Sequence, residues 1–408
     1  MTKRTTKRNV AVGLAVFAYL VAVTQRTTMG SVALDAAGRF HTNAEQLSSL
    51  AVLQLLFYAG MQIPVGILLD RFGSRILLAA GALLMAVGQV AVAFSNQLSL
   101  AVVGRIMVGI GDACTFISMI RMTNSWFTGR RASHLQQWFA TTGQLGQILS
   151  AIPFAMLLHQ NGWESGFLSV ASLALLSGTL VWLLANENPA LETHEKVDLG
   201  VVFSSLRKNA KRSVTWLAFF THFTTQSTGT MFALLWGIPF MVSALGLSHA
   251  SAGALLTLFV CTNASMGPVI GWFCGRWPHL RRQFVYSVVG LIALSWILLL
   301  AAGGEVSSFW LALFVIAIGI GGPSSMIAFD YSKEAVPAKE LGAANGLINT
   351  GGFLAALTMM AIVGVVLDLQ PGAQLYSFDH FRVAFLAMLS ITVVGLTGLA
   401  LSGRSRNK

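Results

Sequence analysis

Gln62-Ile-Pro-Val-Gly66-Ile-Leu-Leu-Asp70-Arg71-Phe-Gly73-Ser-Arg75 is a short charged turn between two apolar runs. The run over 46–69 ends inside it, and the run over 75–95 begins where it stops. Each has the length a helix needs to cross a bilayer core, about 20 residues. Gly66 is read as a site of close helix approach and Gly73 as a tight turn, because neither carries a Cβ. Arg71 and Arg75 place the turn on the cytoplasmic side, where Lys and Arg accumulate.

Working outward from this hairpin, the same alternation fills the chain. Twelve apolar runs are counted, over 10–33, 46–69, 75–95, 98–122, 134–158, 164–186, 213–243, 249–273, 284–303, 307–331, 341–367 and 379–402. Only 10% of the 408 residues are charged, against about 25% in soluble domains. The expected class is therefore an all-α integral membrane protein in the bilayer. The runs are continuous rather than alternating with period two, which argues against a closed β-barrel.

The net charge of +11 is a topology signal and does not indicate a nucleic-acid partner. Of 26 Lys and Arg, only Arg39 and Arg382 fall in loops on one side of the predicted spans, and Arg26, Arg105 and Arg121 fall within spans. The other 21 crowd the opposite side, which predicts two cytoplasmic termini and residence in the inner (plasma) membrane. Cys114, Cys261 and Cys274 lie in or at the end of apolar runs and are read as buried small hydrophobes. No nucleophile–base pairing, metal-ligand spacing or phosphate loop stands out, so neither enzyme activity nor a cofactor is expected.

A polar stretch from Asn186 to Arg212 splits the runs six and six. It predicts an N-terminal bundle over 1–186, a cytoplasmic linker over 187–212 and a C-terminal bundle over 213–408. An internal repeat supports the division. Gly66-Ile-Leu-Leu-Asp70-Arg71 returns in degenerate form as Gly271-Trp-Phe-Cys-Gly275-Arg276, an offset of 205. Gly109-Ile-Gly111 returns as Gly319-Ile-Gly321, and Thr142-Gly143 as Thr350-Gly351, with offsets of 210 and 208.

Three charges interrupt apolar runs: Arg26 in the first, Arg105 and Asp112 in the fourth. A charge in hydrocarbon costs several kcal/mol and is kept where it meets a partner or a cavity. Arg105 and Asp112 are two turns apart, hence on one helix face about 10 Å apart along the axis. Two guanidiniums at one depth repel unless an anion joins them, which predicts an anion site. Protonation of Asp112 and anion binding would then compete for one guanidinium, with Arg105 as the nearest arginine in sequence. A static salt-bridge set between the first and fourth helices is the structural alternative.

The charged turn resembles the signature of the major facilitator superfamily, Gly-x-x-x-Asp-Arg-x-Gly-x-Arg. The resemblance implies twelve helices in two pseudo-symmetric six-helix bundles around a central cavity, acting as a monomer. It also implies gating roles for Gly66, Asp70, Arg71, Gly73 and Arg75. Within that superfamily, three stretches resemble the organic-anion symporters. They are Tyr19…Gln25-Arg26, Arg105-Ile-Met-Val-Gly-Ile-Gly-Asp112-Ala113, and Arg121…Trp126-Phe127 with Arg130-Arg131-Ala132. By position, Arg26 and Arg105 would bind a small anionic substrate and Asp112, where the family has Glu, would carry the coupling proton. Gln25 stands where the family has a second acid.

Gln25, Gln144, Gln147, His222, Gln226, Asn345 and Asn349 are uncharged polar candidates for the substrate site, and Arg121 is an anchor or gate at the cytoplasmic end of the fourth helix. The expected activity is proton-coupled symport of an organic anion. The alternative is proton-coupled drug or metabolite export. Exporters of the superfamily usually carry Gly-x-x-x-Gly-Pro in helix five. Here that helix reads Gly143-Gln-Leu-Gly146-Gln-Ile-Leu-Ser-Ala-Ile-Pro153, without the adjacent pair.

Overall fold

The computed structural model describes residues 2–127, 129–186, 199–337, 341–371 and 376–404, and every regular element among them is helical. The longer helices are α1 (Thr2–Ser31), α3 (Ala44–Gly60), α4 (Gln62–Ala93), α5 (Leu98–Trp126), α6 (Gly129–Leu149), α8 (Trp163–Leu184), α9 (Leu199–Ala210), α10 (Ser213–Met231), α12 (His249–Arg276), α13 (Arg281–Ala301), α14 (Ser308–Gly319), α17 (Leu341–Asp368) and α18 (Phe378–Arg404). Short helices α2 (Ala33–Phe40), α7 (Ala155–Asn161), α11 (Gly237–Pro239), α15 (Gly321–Ser325) and α16 (Ile327–Ala335) connect or extend them.

Among the described residues, ten helical segments are long and apolar enough to cross a membrane. The expected runs over 46–69 and 134–158 are not among them. The run over 46–69 breaks at Met61, so that α3 has 17 residues and α4 opens with Pro64 in its first turn. A proline is tolerated there because the first-turn N–H has no helical partner in any case. The run over 134–158 is interrupted by a π-turn at Ser150–Phe154, which contains Pro153. Proline removes a backbone donor and clashes with the preceding turn, and widening the helix relieves both.

The charged hairpin between 62 and 75 turns at Gly73, whose φ of 78° and ψ of 171° belong to glycine alone. Gly66 departs from expectation. A Cβ built there meets nothing within 4 Å among the described residues, so it makes no close helix contact. The close contact lies farther along, where α4 and α5 run antiparallel. A Cβ on Gly81 would stand 2.5 Å from the carbonyl oxygen of Gly111, and one on Gly104 would stand 2.6 Å from that of Gly88. Small residues seven apart on both helices thus let the backbones touch. Arg105 and Asp112 each follow one of these glycines by one position, so the same contact orients both charges.

The chain gathers into two compact units, Met1–Thr42 with Ser49–Val197, and Asn43–Ser48 with Asp198–Lys408. In the first, α4 packs on α5 and α8, while α1 lies on α5, α6 and α8. In the second, α10 is the central helix against α15, α16, α17 and α18. Asn43–Ser48 is drawn into the second unit by Asp368, whose carboxylate accepts from the backbone N–H groups of Ala44 at 2.8 Å and Glu45 at 2.6 Å. Residues 187–198 of the expected linker lie outside the described residues, and its remainder is the helix α9 rather than plain loop. Cys114 and Cys274 are buried as expected; Cys261 is exposed, facing outward from the apolar helix α12. Arg281, one of the 21 cations that the sequence places on the cytoplasmic side, is buried and pairs with Glu334 at 2.5 Å.

Candidate functional site

The two buried charges of α5 find different partners. Asp112 is fully buried, and its carboxylate is held in a two-pronged pair by Arg26 of α1. Arg26 Nε donates to Oδ2 at 2.6 Å and Nη2 to Oδ1 at 2.9 Å. The guanidinium that protonation of Asp112 would release is therefore that of Arg26, not of Arg105 as sequence spacing suggested. Two turns keep Arg105 and Asp112 on one face but separate them by about 10 Å, beyond hydrogen-bond reach. The α1 arginine approaches from the side at the acid's own level. It also lies over the Tyr58 ring, 4.6 Å from the centroid, a cation–π contact from α3.

Arg105 is fully buried, and among the described residues its hydrogen bonds go to neutral oxygens. Nη1 donates to Gln25 O at 3.3 Å and Thr28 Oγ1 at 3.0 Å. Nη2 donates to Arg26 O at 3.1 Å and to Gln54 Oε1. Its Nε is buried without a hydrogen-bond partner among the described residues. Gln54 reaches Arg105 because Gly109 admits α3: a Cβ there would stand 2.2 Å from Gln54 O. Arg26, Arg105 and Asp112 together thus enclose two cations and one anion. The surplus positive charge is costly in a buried setting, and a bound anion would offset it.

Gln25 is fully buried, and its amide is committed to helix packing: Nε2 donates to Val170 O at 2.6 Å, and Oε1 accepts from Gln89 Nε2 at 2.7 Å. On α6, Gln147 donates to Gln144, and Gln147 Oε1 is buried with no partner among the described residues. The π-turn residue Ser150 joins α6 to α1 through Thr27 Oγ1 at 2.6 Å. Sequence reading missed Gln54, Tyr58, Gln89 and Thr28. A glutamine inside an apolar run was the available signal for Gln54 and Gln89; Tyr58 and Thr28 gave none, since such residues occur throughout membrane helices.

The other candidates fall elsewhere. Arg121 lies nine residues past Asp112, about 13.5 Å along the helix, and is not part of this cluster. Arg75 Nε donates to Trp182 O at 2.9 Å at the end of α8, and its guanidinium stacks 5.2 Å from the Trp182 ring. The side chains of Asp70 and Arg71 lie outside the described residues. In the second unit, His222 is buried with Nδ1 3.4 Å from Ser325 O, and Asn349 is its polar neighbour. Ser325 Oγ donates to Gln226 Oε1 at 3.4 Å. Gly352 makes room for this group, as a Cβ there would stand 2.5 Å from His222 Cδ2. Asn345 is separate, accepting from Ser332 at 2.7 Å. No group of three or more potential metal ligands occurs among the described residues.

Comparison with known proteins bears on the family and the fold. The sequence profile of the Major Facilitator Superfamily matches residues 15–360 and 219–407. A nitrite extrusion protein of Bacillus subtilis (strain 168) is 21% identical over 84% of this chain and 84% of its own length. A probable L-galactonate transporter of Escherichia coli (strain K12) is 20% identical over 94% of this chain and 86% of its own. The crystal structure of a bacterial homolog to the human lysosomal transporter Spinster, inward-facing and unoccupied, superposes with a TM-score of 0.78 at 15% identity, covering 98% of this chain and 97% of that one.

Proposed function

Because this chain belongs to the major facilitator superfamily, and so is a multi-pass membrane transporter rather than an enzyme, we propose that it carries a small organic anion together with protons. The observation that carries this reading is the buried, uncompensated guanidinium of Arg105. An anion entering beside it meets a fixed cation without breaking the Arg26–Asp112 pair first. Once bound, it competes with Asp112 for Arg26, and protonation of Asp112 frees that arginine for the anion. Substrate and proton then stabilise the same state of the site, which is the requirement for coupling.

In this reading Arg26 and Arg105 bind the anion, Asp112 carries the proton, and Gln144 and Gln147 of the same unit complete the site. The chain works as a monomer of twelve helices in two six-helix halves by alternating access, in the inner membrane with cytoplasmic termini. The named cargoes of the two relatives, nitrite and L-galactonate, are both anions. The first of these names states extrusion, and proton-coupled drug or metabolite export is the second reading. Uptake is favoured because α6 and its π-turn lack the Gly-Pro pair of exporters.

The test is a panel of carboxylates and phosphate esters screened by thermal unfolding of the purified protein. A ligand at 100 times its Kd stabilises by about 2.7 kcal/mol, an evident shift. At least one organic anion is expected to stabilise the wild type. Arg105→Ala should weaken its binding tenfold to a hundredfold, the worth of one charge-assisted contact of about 1.5–3 kcal/mol. Arg105→Lys should rescue poorly if the anion is held by a planar fork. Stabilisation by neutral compounds alone, or unchanged anion binding by Arg105→Ala, would overturn the reading.

A further inference from the structure

Arg105 keeps one edge that its neighbours leave open. A guanidinium carries N–H donors on Nε and on both Nη atoms. Among the described residues each Nη of Arg105 donates to two oxygens, while the buried Nε has no acceptor. Three of the acceptors sit on α1: the carbonyl oxygens of Gln25 and Arg26, and Thr28 Oγ1. The fourth, Gln54 Oε1, belongs to a side-chain amide of α3. Gln54 is buried and lies with Arg105 in the first unit. Its backbone is pressed against Gly109, yet its amide is lightly held. Besides Arg105, its one hydrogen bond among the described residues is a long donation of 3.4 Å from Nε2 to Arg26 O.

Nε and Nη2 form the side edge with which a guanidinium grips a carboxylate in two-pronged fashion. Arg26 holds Asp112 by those same two nitrogens. On Arg105 the corresponding edge has an unpartnered Nε and an Nη2 that a neutral amide covers. A buried water would satisfy Nε and leave the charge uncompensated. A planar two-oxygen anion would satisfy Nε, replace Gln54 on Nη2 and compensate the charge. We propose that Gln54 is a displaceable cap on the side edge of Arg105, and that a carboxylate displaces it and is gripped through Nε and Nη2. The amide oxygen occupies the place of one carboxylate oxygen, which selects planar anions over spherical ones. The role of that carboxylate as cargo rests on the anion-transport reading; the edge itself does not.

The full chain in neutral detergent, as wild type, Q54E and Q54M, is unfolded thermally without ligand and with graded acetate, gluconate or chloride. Q54E keeps the shape of the amide and puts a carboxylate at the edge. Without ligand it should unfold at least about 2 °C above the wild type, because a lone buried cation gains a partner. It should bind both carboxylates at least tenfold more weakly, since the edge is already filled. Q54M keeps the length and removes the cap. Acetate and gluconate should bind it about tenfold more tightly, the worth of one hydrogen bond to a charged group, and chloride should change by less than about twofold. A packing role alone would lower the unfolding temperature of both variants and leave the affinities unchanged. A Q54E protein less stable than the wild type, or an equal gain for chloride in Q54M, would overturn the proposal. Carboxylate binding to the wild type that Q54M does not tighten would remove the cap and leave the transport reading standing. A stabler Q54E with no carboxylate binding to Q54M would retain the capped edge and remove anion transport.

Discussion

Arg26 has two obligations in this structure, a two-pronged pair with Asp112 and a face-on contact with Tyr58. Removing it alone strands a buried carboxylate, and breaking a buried pair from one side costs about 3–5 kcal/mol. Arg26→Leu should therefore be strongly destabilised in thermal or denaturant unfolding, while the double variant Arg26→Leu/Asp112→Leu should recover most of that loss. Additive losses would show that the two side chains do not act as a pair. The identities of Arg26, Arg105 and Asp112 were legible in the sequence because charge in an apolar run is conspicuous. Which arginine holds Asp112 was not. Periodicity places residues on the face of their own helix, whereas the partner of Asp112 is set by how α1 docks on α5. Gln25 shows the same limit: its amide turns to Val170 and Gln89, a direction fixed by the neighbouring helices.

At the scale of elements, the contact between α4 and α5 is the one on which the site depends. A Cβ on Gly111 would stand 2.4 Å from the carbonyl oxygen of Gly81, and backbone cannot yield as a side-chain tip can. Gly111→Val should separate the helices, cost roughly 1–3 kcal/mol or more as overpacking does, and displace Asp112 beside it. Lower folded yield and a lower unfolding temperature would be the readouts; wild-type values for both would contradict the packing account. Run positions were legible from hydropathy, and Gly73 from its place in a charged turn. Gly66 was misread because the same absence of a Cβ serves contact or flexibility, and sequence cannot say which. The breaks at Met61 and at Ser150–Phe154 were hidden inside continuous apolar runs, although Pro64 and Pro153 mark where the backbone lacks a donor.

For the whole molecule, the proposed topology puts both termini and the linker in the cytoplasm. A cysteine placed at exposed Lys208, in a background lacking Cys261, should react with a membrane-impermeant maleimide only after the cell is permeabilised. Labelling in intact cells would reverse the topology. The all-helical membrane fold, ten of the runs as spans among the described residues and the superfamily were legible without coordinates, because bilayer thickness imposes length on every span. That α9 is a helix was not, since its short amphipathic stretch sits within a polar region. The central claim is that Asp112 couples proton movement to anion movement through Arg26. Counterflow exchange and pH-driven accumulation of an anion identified by the binding screen, measured side by side in proteoliposomes of Asp112→Asn, test it most directly. The substitution removes the titrating group while keeping the shape, so exchange should persist and uphill accumulation should vanish. Retained pH-driven accumulation would contradict the claim and move the proton site elsewhere, with His222 next, and joint loss of both activities with low folded yield would reduce the pair to a structural tie.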